Sequence, residues 1–309
     1  MDADRVADEF GLGRVRHASP GPVARGRQGV VWRLETDQGR WAVKVAHAAF
    51  DEDEVATSAA FQEVAAAAGV PTPAIRRTTW GTVVSGGHVR VYSWVDLLAP
   101  DPMLDPELVG AAVAGIHRVA PAASGPVEGW YVDAVGAAGW DDVVTRLAAA
   151  DAPFAGELAR LRDELVALES WIEPPSDLVT CHRDLWADNL LPTADGGVCV
   201  IDWENCGPAS RDQELACVLF EFGRKDAGRA RALVDAYSAA AGPALVTGRS
   251  DFSMLVAQLG HITEIGCRDW LTPNDRSPSR ADAEAWVRET LDGPHTRAVL
   301  DSLLAAVHP

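Results

Sequence analysis

One short stretch, residues 180–191, constrains this chain more than any other. It reads Thr-Cys-His-Arg-Asp-Leu-Trp-Ala-Asp-Asn-Leu-Leu and contains Asp184 and, five residues later, Asn189. An apolar run follows after the turn at 194–197 (Ala-Asp-Gly-Gly), and this run ends in Asp202. Because such a turn favours a hairpin, we expect the side-chain oxygens of Asp184, Asn189 and Asp202 to come together.

These three side chains form a set that suits phosphoryl transfer from ATP. One carboxylate can accept the proton of an attacking hydroxyl, while an amide oxygen and a second carboxylate can hold Mg²⁺ against the triphosphate. We therefore assign Asp184 as the base, and Asn189 and Asp202 as metal ligands. A lone His-x-Asp would occur by chance in many proteins, as part of an ordinary surface loop. The whole pattern in this order is much rarer and favours a site.

The stretch resembles the catalytic loop of the protein-kinase-like superfamily, specifically its branch of aminoglycoside phosphotransferases and choline kinases. His182-Arg183-Asp184-Leu185 also matches the protein-kinase spelling. However, Asp202 is followed by Trp203-Glu204, where a protein kinase would have Phe-Gly, and no Ala-Pro-Glu follows. This departure favours a small-molecule kinase over a protein kinase.

The resemblance implies an α+β, bilobal protein-kinase-like fold. Residues 1–95 would form an N-terminal lobe that binds the nucleotide, with a five-stranded antiparallel sheet and one helix. Residues 96–309 would form a mainly helical C-terminal lobe with the catalytic loop and the acceptor site. Apolar runs and turns predict the last two strands at 78–85 and 88–95. Apolar periodicity and helix-breaking residues predict C-terminal helices at 105–119, 140–149, 153–171, 211–223, 226–241, 250–271 and 279–306.

A single lysine stands out in the N-terminal half. The chain has 25 arginines but only two lysines, and Lys44 lies within the apolar run Ala-Val-Lys-Val. The resemblance identifies it as the lysine that binds the α- and β-phosphates. Such a lysine is normally oriented by a carboxylate on the next helix. Glu63 is the interior acid of the helix expected at 51–68, so we predict that it is the partner, with Gln62 as the alternative.

The remaining nucleotide contacts are expected from the resemblance alone. Gly26 and Gly29 would form the flexible cover over the phosphates, although a plain hairpin turn explains them nearly as well. The carbonyl of Ser93 and the N–H of Val95 would bind the adenine at the hinge between the lobes. The expected cofactors are ATP, with GTP as an alternative, and Mg²⁺.

Several other residues are expected in or around the site. Arg183 is expected to offset negative charge beside the catalytic loop, and His117 to be a buried structural histidine. Asp212 leads a helix that the family places against the catalytic loop, where it would brace that loop. Three residues on one later helix could line an acceptor cleft, although a solvated helix face explains each of them better: Glu264, Asp269 and Trp270.

Charge and composition limit the partners. The net charge is −18, of which −1 falls on residues 1–96 and −17 on the rest. This distribution argues against nucleic acid and anionic membranes, and it would attract a cationic acceptor, although solubility explains it equally well. No apolar run approaches the length of a membrane span, and the N-terminus has no signal-peptide core. We therefore expect a cytoplasmic protein, with monomer and homodimer both open.

The sequence thus predicts an Mg·ATP-dependent O-phosphotransferase that acts on a hydroxyl of a small molecule, with an aminoglycoside-like antibiotic, and hence antibiotic resistance, as the first choice. A metabolic kinase for choline, homoserine, a methylthiosugar or a nucleoside is the alternative. A pseudokinase that only binds nucleotide is the alternative from another class. The presence of Lys44, Asp184, Asn189 and Asp202 argues against it.

Overall fold

The N-terminal part of the chain is an antiparallel sheet with two helices. The computed structural model describes residues 1–26, 28–123, 125–273 and 279–308. Within these residues the sheet has six strands in the order β1-β3-β4-β6-β5, with β2 also paired to β3. The strands are β1 (Val15–Ala18), β2 (Ala24–Arg25), β3 (Gly29–Thr36), β4 (Gly39–Ala46), β5 (Ile75–Arg76) and β6 (Val89–Ser93), and the helices are α1 (Ala3–Glu9) and α2 (Glu52–Ala67).

The α+β class is confirmed, but the details of this part differ from expectation. The sheet has six strands rather than five, and the short helix α1 packs on it in addition to α2. The strand expected at 78–85 is absent from the described residues. There, Thr78 Oγ1 accepts a hydrogen bond from Thr82 N at 3.1 Å, and Gly81 has a φ of +88°. This local side-chain bonding closes a turn within the segment that was predicted to be a strand.

The C-terminal part is mainly helical and carries two small two-stranded sheets. Strands β7 (Val179–Cys181) and β10 (Gly207–Ala209) pair with each other, as do β8 (Leu190–Pro192) and β9 (Val198–Val200). The β8–β9 hairpin is the one predicted between Asn189 and Asp202. The described helices are α3 (Pro106–Val119), α4 (Ala137–Ala149), α5 (Ala155–Glu169), α6 (Arg211–Gly223), α7 (Ala227–Ala239), α8 (Ser253–Leu271), α9 (Arg280–Asp292) and α10 (Arg297–Val307).

One helix expected from the sequence is two helices. The segment predicted as helix 279–306 divides into α9 and α10 at residues 293–296. Gly293 and Pro294 account for the break, because glycine favours helix ends and proline cannot continue the hydrogen-bond ladder of a helix. None of the helices in the described part of the chain is long and apolar enough to cross a membrane.

The largest apolar core lies beneath the catalytic loop. It is formed chiefly by α3, α6, α7 and α8 and includes side chains with almost no exposure to solvent: Ile116, Leu215, Leu219, Phe222, Leu233 and Tyr237. Residues 182–189, between β7 and β8, are packed directly onto this core through the buried Leu185 and Ala187. The loop is therefore supported by the packed core, as precise placement of reacting groups requires.

Candidate active site

The side chains of Asp184 and Asn189 meet at the centre of the catalytic loop. Asp184 Oδ2 accepts hydrogen bonds from Asn189 Nδ2 at 2.9 Å and from Asn205 Nδ2 at 2.8 Å. Ile201 N donates to the backbone carbonyl of Asn189 at 2.9 Å, which joins this loop to the strand end that carries Asp202. The hairpin thus brings the catalytic loop, with Asp184 and Asn189, next to the strand end that precedes Asp202.

Lys44 reaches the same site from the sheet. Its ammonium group lies 2.6 Å from Asp202 Oδ1 and 3.0 Å from Glu204 Oε2, and its side chain is 14% exposed. Burial alone would lower the pKa of Lys44, but the negative charges of Glu204 and Asp202 outweigh burial and raise it. The lysine is therefore positively charged at neutral pH and aimed at the acids of the C-terminal part.

The prediction that Glu63 orients Lys44 is corrected by the structure. The carboxylate of Glu63 binds Arg77 instead, with contacts of 3.0 Å to Nε and 2.8 Å to Nη2, and it is 42% exposed. Gln62 lies on the buried side of α2, but its amide donates to Thr72 and Pro73 rather than to Lys44. Neighbouring residues of a helix point about 100° apart, so the outward turn of Glu63 follows from the inward turn of Gln62.

Glu204 takes the position expected of Glu63, and the sequence analysis missed it. Asp202 adopts a left-handed backbone conformation (φ 60°, ψ 58°) and is followed by a 3₁₀ turn over Trp203–Asn205. The ring of Trp203 is buried edge-on against Phe61 of α2, with 5.3 Å between ring centroids. The turn aims Glu204 back towards Lys44 and Arg90. The only signal in the sequence was an acid where protein kinases have glycine.

The pKa values of the acids in the site are shifted in opposite directions. Burial, followed by the negative charge of Asp188, raises the pKa of Asp184 to about 6, although the hydrogen bonds from Asn205 and Asn189 oppose the rise. Burial and the neighbouring Glu204 also raise the pKa of Asp202. Burial acts on Glu204 too, but its hydrogen bond with Asp202 and the cations Lys44 and Arg90 hold its pKa well below the usual value.

Arg183, which we expected to act near the reacting groups, is a structural element of the loop. Its φ is 64°, its guanidinium Nε donates to Asn205 O at 2.6 Å, and Nη2 lies 2.9 Å from Glu128. The guanidinium also lies 4.2 Å from the ring centroid of Tyr131. Only 5% of the side chain is exposed. A Cβ on Gly207 would lie 2.5 Å from the guanidinium carbon, so position 207 has room for glycine alone.

The brace of the loop is Glu214 rather than Asp212. Glu214 accepts a hydrogen bond from the backbone N–H of Arg183 and a second, at 2.8 Å, from His117 Nε2. His117 is fully buried and also contacts Tyr237 OH at 2.8 Å, as expected of a structural histidine. Asp212 accepts instead from Leu245 N. One helical turn of α6 thus offers two acids, and the sequence does not show which one faces the loop.

The acceptor residues proposed from the sequence are not grouped as a cleft wall. Glu264 is buried and paired with Arg268 one turn along α8. Trp270 is 7% exposed and packs edge-on against Phe154, with 5.7 Å between ring centroids. Asp269 lies beside it, half-buried. Trp270 therefore belongs to an apolar cluster between α4, α5, α8 and α9. The sequence did not show this, because a tryptophan on a helix can pack in a core as well as line a cleft.

Comparison with known proteins identifies the family. The family model described as the phosphotransferase enzyme family, APH, matches residues 21–248. The chain belongs to this family. It is accordingly an enzyme of the small-molecule kinase type, as the departure at Trp203-Glu204 indicated. A search of curated proteins found no match for this phosphotransferase.

Solved structures share the fold of the phosphotransferase at low sequence identity. A spectinomycin phosphotransferase in complex with ADP and spectinomycin has a TM-score of 0.70 and 14% identity, covering 98% of this chain and 97% of that one. An aminoglycoside phosphotransferase from Alicyclobacillus acidocaldarius has a TM-score of 0.63 and 19% identity, with coverages of 95% and 92%. A choline/ethanolamine kinase family protein from Mesorhizobium loti has a TM-score of 0.54 and 19% identity, and the match covers 93% of this chain and 92% of that one.

The phosphotransferase has a donor set that fits Mg²⁺ but does not form a closed metal cage. Among the residues that the structure describes, no group of three or more His, Cys, Asp or Glu could hold a metal ion. Magnesium usually takes only one or two protein carboxylates and completes its shell with water and phosphate oxygens. The amide nitrogen of Asn189 is committed to Asp184, so Asn189 Oδ1 could serve as a hard oxygen ligand together with the carboxylate of Asp202.

The structure shows the backbone positions of the glycine turn and of the segment after β6, and their contacts with nucleotide stay a prediction. Gly26 N donates to Gly29 O at 2.9 Å and closes the β2–β3 turn, and Arg27 lies outside the described residues. A Cβ on Gly29 would lie 2.4 Å from Val45 O, so a close strand approach already requires this glycine. Ser93 ends β6, and Val95 follows it on the way into the helical part.

Proposed function

We propose that this phosphotransferase transfers the γ-phosphoryl group of Mg·ATP to a hydroxyl of a small molecule, with an aminoglycoside-like antibiotic as the first choice and antibiotic resistance as the role. The observation that carries the proposal is the meeting of Lys44 with the acids of the catalytic hairpin. Such a reaction needs a compartment that contains ATP, so we also propose a cytoplasmic location. The ADP and spectinomycin bound to the structural relative support this choice.

Each residue of the site has a definite task in the proposed reaction. The acceptor oxygen forms a bond to the γ-phosphorus as the bond to the leaving ADP oxygen breaks, and Asp184 takes the hydroxyl proton. Two amides fix the carboxylate of Asp184, so that it meets the hydroxyl in one orientation. Lys44 binds the phosphates. Asn189 and Asp202 hold magnesium, which when bound neutralises phosphate charge and aligns the transferred group. Because the transition state is loose, positioning contributes more than base strength.

The second candidate is a metabolic kinase for a small amino alcohol such as choline or ethanolamine. A solved structure of that description has the same identity to this chain, 19%, as the aminoglycoside phosphotransferase. The acids near the catalytic loop, Asp188, Glu221 and Glu289, influence one another electrostatically and would suit a cationic acceptor of either kind.

A panel of acceptors tests the proposal directly. ADP release is measured with aminoglycosides, peptide and nucleoside antibiotics, amino alcohols and sugars, and the variant Asp184→Asn measures the background. We expect an aminoglycoside to give the highest kcat/KM. Its KM should rise several-fold as salt increases, because salt screens the attraction between the acidic protein and the cationic acceptor over a Debye length of about 10 Å at 0.1 M. Turnover of choline or ethanolamine alone would select the metabolic kinase. No turnover with any acceptor would contradict the proposed function.

The raised pKa of Asp184 predicts a pH profile. Asp184 must be ionised to accept a proton, and its pKa is about 6, so kcat should fall as the pH is lowered through this value. Asp188→Asn removes the negative charge that raises this pKa, and we expect the acid limb of the profile to move to lower pH. Asp163→Asn on the surface of α5 is the matched charge change and should leave the limb in place. An acid limb that stays unmoved in Asp188→Asn would contradict the assignment of Asp184 as the base.

A further inference from the structure

Arg90 is a charged residue in an unusual place. It lies on β6 with no exposure to solvent, and its Nη1 donates to Glu204 Oε1 at 2.9 Å. The guanidinium carbon lies 5.2 Å from the ring centroid of Tyr92 and 5.8 Å from that of Phe50. Arg90 Nε and Nη2 have no hydrogen-bond partner among the described residues. Burying an arginine costs free energy, which makes a purely passive role a poor explanation.

The position of Arg90 relates it directly to Lys44. The two residues are opposite each other in the β4–β6 pairing, so their side chains leave the same face of the sheet. Glu204 lies between them: Oε1 takes Arg90 and, at 3.4 Å, Tyr92 OH, while Oε2 faces Lys44 at 3.0 Å. With Oε1 occupied, the carboxylate cannot rotate without losing the arginine, and this fixes where it holds the ammonium group.

The balance of charges also favours a role for Arg90. Lys44 and Arg90 carry two positive charges and share one carboxylate at Glu204, so one positive charge remains for a phosphate. Asp202 also contacts Lys44 at 2.6 Å, but Asp202 is the residue that the proposed function assigns to magnesium. Glu204 is then the partner that stays with Lys44 when the nucleotide is bound.

We propose that Arg90 is a positioning residue for Lys44 and acts through Glu204, in place of the acid on α2 that was expected to orient the lysine. This inference rests on the proposed function, because it assumes that Lys44 binds the phosphates of ATP. Arg90 on the sheet and Glu204 in the turn after β9 would then orient Lys44, and the orientation of Lys44 would not depend on the Glu63 side chain.

The test separates phosphate binding from adenosine binding. ADP and adenosine affinities are measured by calorimetry without metal, and kcat and KM for ATP are measured with it, in Arg90→Lys, Arg90→Met and Glu204→Gln. Arg90→Lys keeps the charge but places it on a single ammonium group at the end of a different side chain, so a loss in this variant reports on position rather than on charge. We expect Arg90→Lys and Arg90→Met to lower ADP affinity by about tenfold, with adenosine affinity unchanged.

Glu204→Gln is the second variant, and it covers the case in which Arg90→Met does not fold. It raises the local positive charge, so charge alone would leave turnover intact and tighten ADP. Loss of position instead predicts a kcat lower by about tenfold or more. Glu63→Gln is the matched control, because it changes the same kind of group on α2, and it should match the wild type in every measurement.

The outcomes are distinct. Arg90→Lys and Glu204→Gln that both keep wild-type ADP affinity and kcat would overturn the positioning role while leaving the proposed function in place. Equal losses for adenosine and ADP would also overturn it, because they would indicate a general loss of structure. A wild-type chain that binds neither adenosine nor ADP would overturn the proposed function, and this inference with it.

Discussion

Replacing Asp184 with asparagine is expected to lower kcat by about 10² to 10⁴-fold and to leave ADP affinity within about twofold of the wild type. The carboxylate faces the acceptor hydroxyl in the proposed reaction, whereas the nucleotide is held by other groups. Asparagine has the same shape and can still accept from Asn189 and Asn205, so the loop should keep its form. Steady-state kinetics and ADP calorimetry supply the two readouts.

The matched control for this variant is Asp212→Asn. Asp212 lies on α6 near the loop, but its carboxylate binds the backbone N–H of Leu245, so activity should be unchanged. An Asp184→Asn enzyme that retained a tenth of the wild-type kcat would refute the assignment of Asp184 as the base.

Asp202→Asn is expected to remove the dependence of nucleotide affinity on magnesium. In the wild type we expect ATP to bind more tightly with Mg²⁺ than with a chelator. The variant loses a charged ligand of a hard cation, and affinity with magnesium should fall by about 10 to 100-fold, the usual range for damage to a metal site. Without metal, affinity should rise, because Asp202 no longer competes with phosphate for Lys44 at 2.6 Å.

The two titration curves, with magnesium and with chelator, should therefore converge in Asp202→Asn. This convergence is specific, because a variant that merely weakened the fold would shift both curves in the same direction. If the gap between the curves were as wide in the variant as in the wild type, Asp202 would not be a metal ligand.

The sequence predicted the parts of the site that depend on local spacing. Asp184 and Asn189 are joined by one loop and Asp202 follows one hairpin, so chain connectivity alone brings them together. The family resemblance supplied Lys44 and the fold class. These predictions rest on short separations in sequence or on a pattern that a whole family shares.

The partners of these residues depend on side-chain directions that the sequence does not encode locally. Glu63 and Gln62 are adjacent on α2, and only the packing of the helix decides which one faces inward. Glu204 was missed because its direction follows from the left-handed conformation of Asp202, which a non-glycine residue rarely adopts. Asp212 was chosen in place of Glu214 for a similar reason, because both lie on one helical turn and only the packing decides which one faces the loop.

The close contact between Gly207 and Arg183 also has a consequence for how this chain can vary in evolution. A side chain at 207 would need the space that the guanidinium fills, at 2.5 Å from the missing Cβ. Substitutions at the two positions are therefore coupled. A relative that has lost the arginine can carry a larger residue at 207, whereas one that keeps the arginine requires glycine there. Sequence drift at 207 would thus reveal a rebuilt catalytic loop in a relative, even where every reacting group is retained.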